Sequence, residues 1–418
     1  MSAREARTNL DIHPNSPRVL AANYGNLTFS NFAKVLPSSG TIGVAGTFTP
    51  GAGSGHTITG STFDFNGAGA QTVPAFSYNN LTISGSRGGA AVTLASGTIN
   101  VAGAFNAIAT SYTLGVTGNT LAFNGTTAQS IGGVAALTLN NLTINNSAGT
   151  ALNVDATVNG ALTLTNGALT TGTKIVSVGP AGTASRTNGL VDGTVRKQFS
   201  AAGSFTYPVG AGGGYSPVAA TVTAGSGTLS VKANTGTAPS SPALDPARML
   251  QRYWTTSGSG VTANLTFNYL NGDIPGTSTE ASYDIFRIAS AGYPNRFAPN
   301  GSSVVLNAAG NSFTVNGVQF FADWTAGDPL APTAAQAAIG GRVLSADGAG
   351  IGRAMVVVTD QAGNRVSAVT NTFGHYRIEG LATGETYVVT VTSKGYSFAA
   401  RSVTLSEDVA SLDFVAGP

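Results

Sequence analysis

The chain has 418 residues, no cysteine, 9% charged residues and a formal net charge of +2. The missing cysteines exclude disulfides, thiolate-bound zinc and cysteine nucleophiles, and so small a net charge gives no field that would draw nucleic acid or an anionic membrane. Hydrophobic residues make up 42% of the chain, ample for buried cores, while charged residues fall well below the usual ~25%, so Thr, Ser, Asn and Gly must keep the surface soluble.

The length predicts two to four domains. Residues 1–23 read as an irregular tail or a partial first coil. Arg4 and Arg7 are present, but Val19–Ala22 is too short for the apolar core of a secretory signal. The composition favours an exported protein of which this chain is an internal or carboxy-terminal piece, placed outside the cell or on its surface, over a cytoplasmic one. No run of about 18 apolar residues encodes a membrane helix.

Residues 24–185 repeat. Gly46, Gly103 and Gly160 lie 57 residues apart, in the phrases Thr41–Phe48 (TIGVAGTF), Thr98–Phe105 (TINVAGAF) and Thr157–Leu164 (TVNGALTL). A second phrase recurs as YGNLTF (Tyr24–Phe29), YNNLTI (Tyr78–Ile83) and LNNLTI (Leu139–Ile144), and a third as Phe63–Val73 and Leu121–Ile131. Each unit holds three short apolar-alternating segments, in the second unit Leu81–Ile83, Ile99–Phe105 and Leu121–Phe123, about 19 residues apart. Their Thr, Val, Ile and Phe suit a pleated strand, and Gly, Asn and Ser between them suit turns. Such a strand cannot bury its apolar face alone, but stacked coils can. The expectation is a parallel β-helix of about eight coils, roughly 40 Å long at a rung spacing of about 4.8 Å; a meandering antiparallel stack is the alternative. The stretch resembles the right-handed parallel β-helices of bacterial surface proteins. Asn26, Asn80 and Asn141 match the N-x-[ST] glycosylation acceptor, but corner residues in the left-handed conformation, stacked as a ladder, explain them more simply.

Residues 186–330 read as a β-sandwich, with alternating strands from Thr194–Phe199 to Gln319–Thr325 separated by turn residues. The phrases Phe205–Val218 (FTYPVGAGGGYSPV), Arg252–Gly258 (RYWTTSG) and Phe320–Asp328 (FFADWTAGD) resemble a sandwich module found beside repeats in large bacterial surface proteins. Trp254 and Trp324 read as core residues. Tyr253, on the opposite side of its strand, and Tyr293 are the candidate exposed rings for stacking on carbohydrate. Asp323 and Asp328 read as solvated loop acids rather than calcium ligands.

Residues 331–336 (APTAAQ) read as a linker. Within 337–418, Gly340–Asn364 and Thr370–Phe398 resemble the carboxypeptidase regulatory-like domain. The resemblance implies a transthyretin-like sandwich of seven strands, classed with carbohydrate-binding-like folds and mostly a spacer. Asp347–Gly348 reads as the first turn, Gly380 and Gly384 as brackets of a later one. Tyr376, Ile378, Leu412 and Phe414 are expected inside.

Enzymatic chemistry finds few candidates. A polysaccharide lyase or glycosidase on the solenoid needs grouped carboxylates. Between 24 and 185 the acids are Asp64 and Asp155; Asp64 aligns with Ala122 of the next unit, so the two belong to different coil segments. His13, His56 and His375 are scattered. No metal-ligand spacing, nucleophile elbow, phosphate loop or cofactor fingerprint occurs. The expected protein is all-β and non-enzymatic, extracellular or at the cell surface, with a structural or adhesive role toward carbohydrate. A self-assembling filament or surface-layer subunit, joined through the uncapped end of the solenoid, is the alternative; a polysaccharide-processing enzyme is the third.

Overall fold

The computed structural model describes residues 10–12, 18–110, 113–116, 118–239, 244–289, 295–297, 303–319, 321–329, 336–361 and 363–417. The chain forms two compact units, Met1–Pro329 and Leu330–Pro418. Among the described residues strands dominate, with three short 3-10 turns and no α-helix.

The first unit begins as a parallel β-solenoid with three faces per coil. One face stacks Asn23–Tyr24, Thr41–Val44, Thr62–Phe65, Asn80–Ile83, Ala104–Ala107, Gln129–Gly133 and Thr150–Leu152. It continues into Ala168–Val178 and Leu190–Phe199. The second face carries Leu10–Ile12, Leu27–Phe29 and Phe48–Thr49, then Gln71–Val73, Ala91–Leu94 and Thr113–Val116, then Leu137–Leu139 and Ala156–Val158. The third runs from bridges at Val35 and Thr57 through Ser77–Tyr78, Gly97–Val101, Asn119–Phe123, Asn141–Asn145, Ala161–Asn166 and Thr183–Arg186.

Alternation places every second side chain inside, and in-register stacking lays like on like. Ile99, Leu121, Leu142 and Leu162 form one inward ladder, and Val101, Phe123, Ile144 and Leu164 the next; all are fully buried. Each such side chain contributes about 1.5–3 kcal/mol relative to exposure. Toward the amino end the core is aromatic, with Phe29, Phe48, Phe63, Phe76 and Tyr78 in edge or tilted contact.

The expected solenoid is present, but the 19-residue step missed most of its strands. A coil holds three, and its length runs from 17 residues (Leu10 to Leu27) to 26 (Phe105 to Ile131). Strands such as Gln71–Val73 and Thr150–Leu152 have three residues and little alternation to read. Eight strand segments separate Gly46 from Gly103, counting the bridge at Thr57, and eight separate Gly103 from Gly160. The 57-residue unit is therefore two and two-thirds coils.

Leu190–Phe199 belongs to two structures at once. On one side it pairs in parallel with the coil before it, Ile175 to Thr194 through Val178 to Lys197. On the other it pairs antiparallel with the sandwich, Thr194 to Lys232 through Phe199 to Gly227. The solenoid thus runs into the sandwich without a break in this sheet, and the strand edge at this end is filled.

The sandwich is organised by two long antiparallel strands, Val218–Thr235 and Arg252–Asn268. The sequence pattern predicts each as two shorter strands, Val218–Val222 with Thr228–Lys232 and Gln251–Thr256 with Ala263–Tyr269. The two long strands bend together where the register shifts. Gly225 and Gly260 take φ of +88° and +73° there, and a Cβ on Gly225 would lie 2.1 Å from the Gly260 carbonyl, so the bend requires glycine. Beyond it, Gly203–Tyr207 and Ser312–Val318 flank one half; Leu190–Phe199 and Asp323–Pro329 flank the other. Rings from the two halves meet in the core, with Trp254 5.3 Å from Phe267 and Phe267 4.9 Å from Phe313.

The second unit is a seven-stranded sandwich. One sheet orders His375–Ala382, Gln336–Leu344 and Phe414–Val415; the other orders Arg365–Val369, Met355–Thr359, Thr386–Thr392 and Arg401–Thr404. Tyr376, Ile378, Tyr387, Val389, Leu412 and Phe414 are buried between them. Gly380 does not bracket a turn: it sits inside His375–Ala382, at the register shift opposite Ala337 and Ile339. The expected linker, apart from Gln336, lies outside the described residues.

Candidate functional site

The repeated phrases turn out to be halves of one contact between coils. Asn26, Asn80 and Asn141 each accept a backbone N–H from the next coil, from Thr47 at 2.8 Å, Ala104 at 2.9 Å and Ala161 at 2.8 Å. The residue just before each donor is the phrase glycine. A Cβ on Gly46, Gly103 or Gly160 would lie 2.2–2.4 Å from the asparagine Oδ1, so the amide occupies the space that only glycine leaves. These asparagines are not left-handed corner residues: among the described residues, Asn311 and Arg353 alone have positive φ without being glycine. Their side chains bridge coils instead.

The third phrase builds a buried clamp. Gln71 accepts the Gly67 N–H at 3.0 Å and donates to the Val44 and Gly46 carbonyls of the preceding coil, both at 2.8 Å. Gln129 repeats this with Gly125 (3.0 Å), Val101 (2.7 Å) and Gly103 (3.1 Å). A side chain from the following coil closes each clamp. Arg87 donates to Gln71 Oε1 at 2.7 Å, and Asn146 donates to Gln129 Oε1 at 2.9 Å. At the end of the solenoid, buried Lys197 donates to the carbonyls of Gly179 (2.6 Å), Pro180 (2.9 Å) and Gly182 (2.7 Å). Burial lowers its pKa.

Clefts open on this unit at two places among the described residues. One, of about 440 Å³, lies beside Lys197 and is walled by 180–184 and 199–206. The other, of about 430 Å³, lies between 50–56 and the rungs carrying Phe76, Ser77, Thr98 and Asn100. His56 stands in its wall. Its Nδ1 accepts the Lys34 backbone N–H at 3.0 Å and its Nε2 faces the Gly53 carbonyl at 3.0 Å, which sets the neutral, Nε2-protonated ring. Burial first, and the Lys34 charge after it, lower the pKa; the Gly53 hydrogen bond opposes them.

The carboxylates are not brought together. Asp64 is half-buried and accepts Ser84 Oγ at 2.7 Å, and burial raises its pKa. Exposed Asp155 accepts the Ile175 N–H at 2.9 Å. Four rungs of the first face separate them, roughly 19 Å at the usual spacing. Asp323 and Asp328 are not loop acids. Both lie in the strand Asp323–Pro329, five residues apart and so on opposite faces. Asp328 is buried and accepts Ser282 Oγ at 2.7 Å, with Arg248 at 3.8 Å. No group of three His, Asp or Glu side chains suited to a metal occurs among the described residues.

Trp254 and Trp324 are fully buried and donate from Nε1 to the Ser216 carbonyl (3.0 Å) and Thr256 Oγ1 (3.1 Å). Tyr253 points the other way, half-buried against a cluster of Ala238, Met249, Phe286 and Ile288. Tyr293 and His13 lie outside the described residues. Sequence reasoning missed the buried Gln71, Gln129, Arg87 and Lys197. The recurrence of Ala-Gln in the third phrase was the one available signal.

Residues 338–416 match the family model described as the carboxypeptidase regulatory-like domain, so the carboxy-terminal unit carries that domain. No curated protein matches the chain. Among solved structures, the chain is similar to the group B streptococcus pilus 2b backbone protein, at 13% identity over 46% of this chain and 94% of that one, with a TM-score of 0.17. The pilus backbone RrgB of Streptococcus pneumoniae (10%, 52% and 93%, TM-score 0.17) and the Bacillus anthracis TIE protein (10%, 52% and 60%, TM-score 0.17) are similar to the same degree.

Proposed function

We propose that this chain is a non-enzymatic structural and adhesive protein, extracellular or on a bacterial surface, whose solenoid contacts carbohydrate. The supporting observation is where the repeated side chains go. Asn26, Asn80 and Asn141 bond to the adjacent coil, as do Gln71 and Gln129. Sequence repetition here serves the cohesion of a rod. A glycan array with the intact chain tests adhesion, and a blank array removes carbohydrate from this reading. Hydrolysis or elimination of any polysaccharide, abolished by Asp64→Asn or Asp155→Asn, removes the non-enzymatic part.

A filament subunit is the weaker reading. Its motive is an uncapped solenoid end exposing strand edges, and at the carboxy-terminal end of the solenoid that edge is taken up by 227–232 of the sandwich. Light scattering at high concentration decides it: a monomer at all concentrations ends the filament reading.

A further inference from the structure

The cleft beside His56 combines an aromatic floor with a neutral polar rim. Its floor includes the half-buried ring of Phe76, anchored from below by Phe48 at 5.3 Å and Tyr78 at 5.1 Å. Its rim is Ser54, His56, Ser77, Thr98 and Asn100, with backbone from a glycine-rich turn at 51–55. No Asp, Glu, Lys or Arg lines it, and His56 is held neutral by the N–H it accepts from Lys34. An aromatic face within a ring of neutral hydroxyl, amide and imidazole groups is chemistry that suits a pyranose: C–H groups against the ring, hydroxyls to the rim.

The cleft also spans two adjacent rungs of the stack. Ser77 and Asn100 are register partners on adjacent rungs of the third face. Asn100 Nδ2 donates to Ser77 Oγ at 3.5 Å, and Asn124, from the coil after, donates to Asn100 Oδ1 at 3.1 Å. The register partner of Asn100 on that coil is Ala122, so Asn124 lies one rung on and two residues along, and the three polar side chains run obliquely across the stack. We propose that the Phe76–His56 cleft, with Ser77 and Asn100 on its rim and Asn124 beside them, forms a binding site for a linear, uncharged polysaccharide laid across the rungs. The site deepens the adhesion reading and rests on it. It is distinct from Tyr253, which belongs to the sandwich.

The test is titration calorimetry of the intact chain with cellohexaose, chitohexaose and mannohexaose, and with hexagalacturonate as the charged counterpart. The expected result is saturable binding of at least one neutral hexamer and none of hexagalacturonate. Phe76→Ala should weaken that binding about tenfold, the usual order for losing an aromatic stacking face. Because Phe76 also packs in the core, Ser54→Trp is the decisive variant. Ser54 is exposed on the rim, so the indole should fill the cleft and abolish binding with an unchanged melting temperature, whereas Ser226→Trp, at the bend of the sandwich, should bind normally. Equal binding by Ser54→Trp overturns the site, and loss on Tyr253→Ala instead would leave adhesion standing in the sandwich. Tighter binding of hexagalacturonate than of every neutral hexamer overturns the assignment of an uncharged ligand. Failure of all three neutral hexamers overturns the site, and the adhesion reading falls with it only if the wider array is blank too.

Discussion

Asn80 rests on Gly103. Its Oδ1 accepts the Ala104 N–H at 2.9 Å and stands where a Cβ of residue 103 would be, 2.2 Å away. Gly103→Ala should therefore cost about 1–3 kcal/mol through overpacking. Asn80→Ala should cost a similar amount by leaving the Ala104 N–H without its partner. The double variant should cost less than the sum, because the first clash needs the asparagine. Urea denaturation of the four proteins measures this; strict additivity would show that the two residues do not meet.

Gln129→Ala removes one donor and one acceptor that serve Gly125, Val101 and Gly103. With buried polar groups costing about 1–3 kcal/mol each when left unpaired, the loss should reach about 3 kcal/mol. Gln71→Ala should behave alike, and hydrogen exchange should show the protection lost first at the neighbouring coils. A loss below about 0.5 kcal/mol, the range of ordinary surface substitutions, would mean that the clamp is dispensable.

His56 gives the solenoid a pH dependence. Its pKa in the fold lies below the ordinary 6.5, so the folded state binds the proton less readily than the unfolded chain. The stability from neutral His56 is complete above pH 6.5, and it is lost as the pH falls below 6.5 toward the folded value. Melting temperatures between pH 8 and pH 5 should fall in the wild type, and His56→Gln should remove that component of the slope.

Arg252 and Asp273 form a buried two-point pair, Nε to Oδ2 at 2.6 Å and an Nη to Oδ1 at 3.1 Å, and Asp273 also accepts the Leu270 N–H at 2.8 Å. Asp273→Ala strands a buried guanidinium and should cost about 3–5 kcal/mol. Replacing both by apolar residues should cost much less. Denaturant midpoints of the single and double variants separate the two cases.

The all-β class, the stacked coils and the carboxy-terminal domain were legible because their signals are local: alternation, turn residues and a phrase such as Gly340–Asn364. The contacts were not. Asn80 and Gly103 were both visible as repeated residues, yet nothing in the 57-residue period says that they face each other, since that depends on coil length. Coil length varies because each corner absorbs a different loop. The bend at Gly225 and Gly260 was missed for a related reason, as a break in alternation reads as a strand end whether or not the pairing continues. The Phe76–His56 cleft draws on 50–56, 75–77 and 98–100, three segments joined only by winding. Lys197 carried no signal, because three carbonyl oxygens leave no trace in side-chain identity.

A repeat of two and two-thirds coils has a consequence for how such a chain can grow. The asparagine–glycine contact falls on a different corner in each copy: after the first face at Gly46, before it at Gly103, and between the second and third at Gly160. Duplicating one unit would therefore lengthen the solenoid and also swing whatever follows by a third of a revolution about the axis. Three added units, or eight coils, would restore the original azimuth some 38 Å farther along. Reach and heading are thus tied together, and only insertions in multiples of three extend one without altering the other.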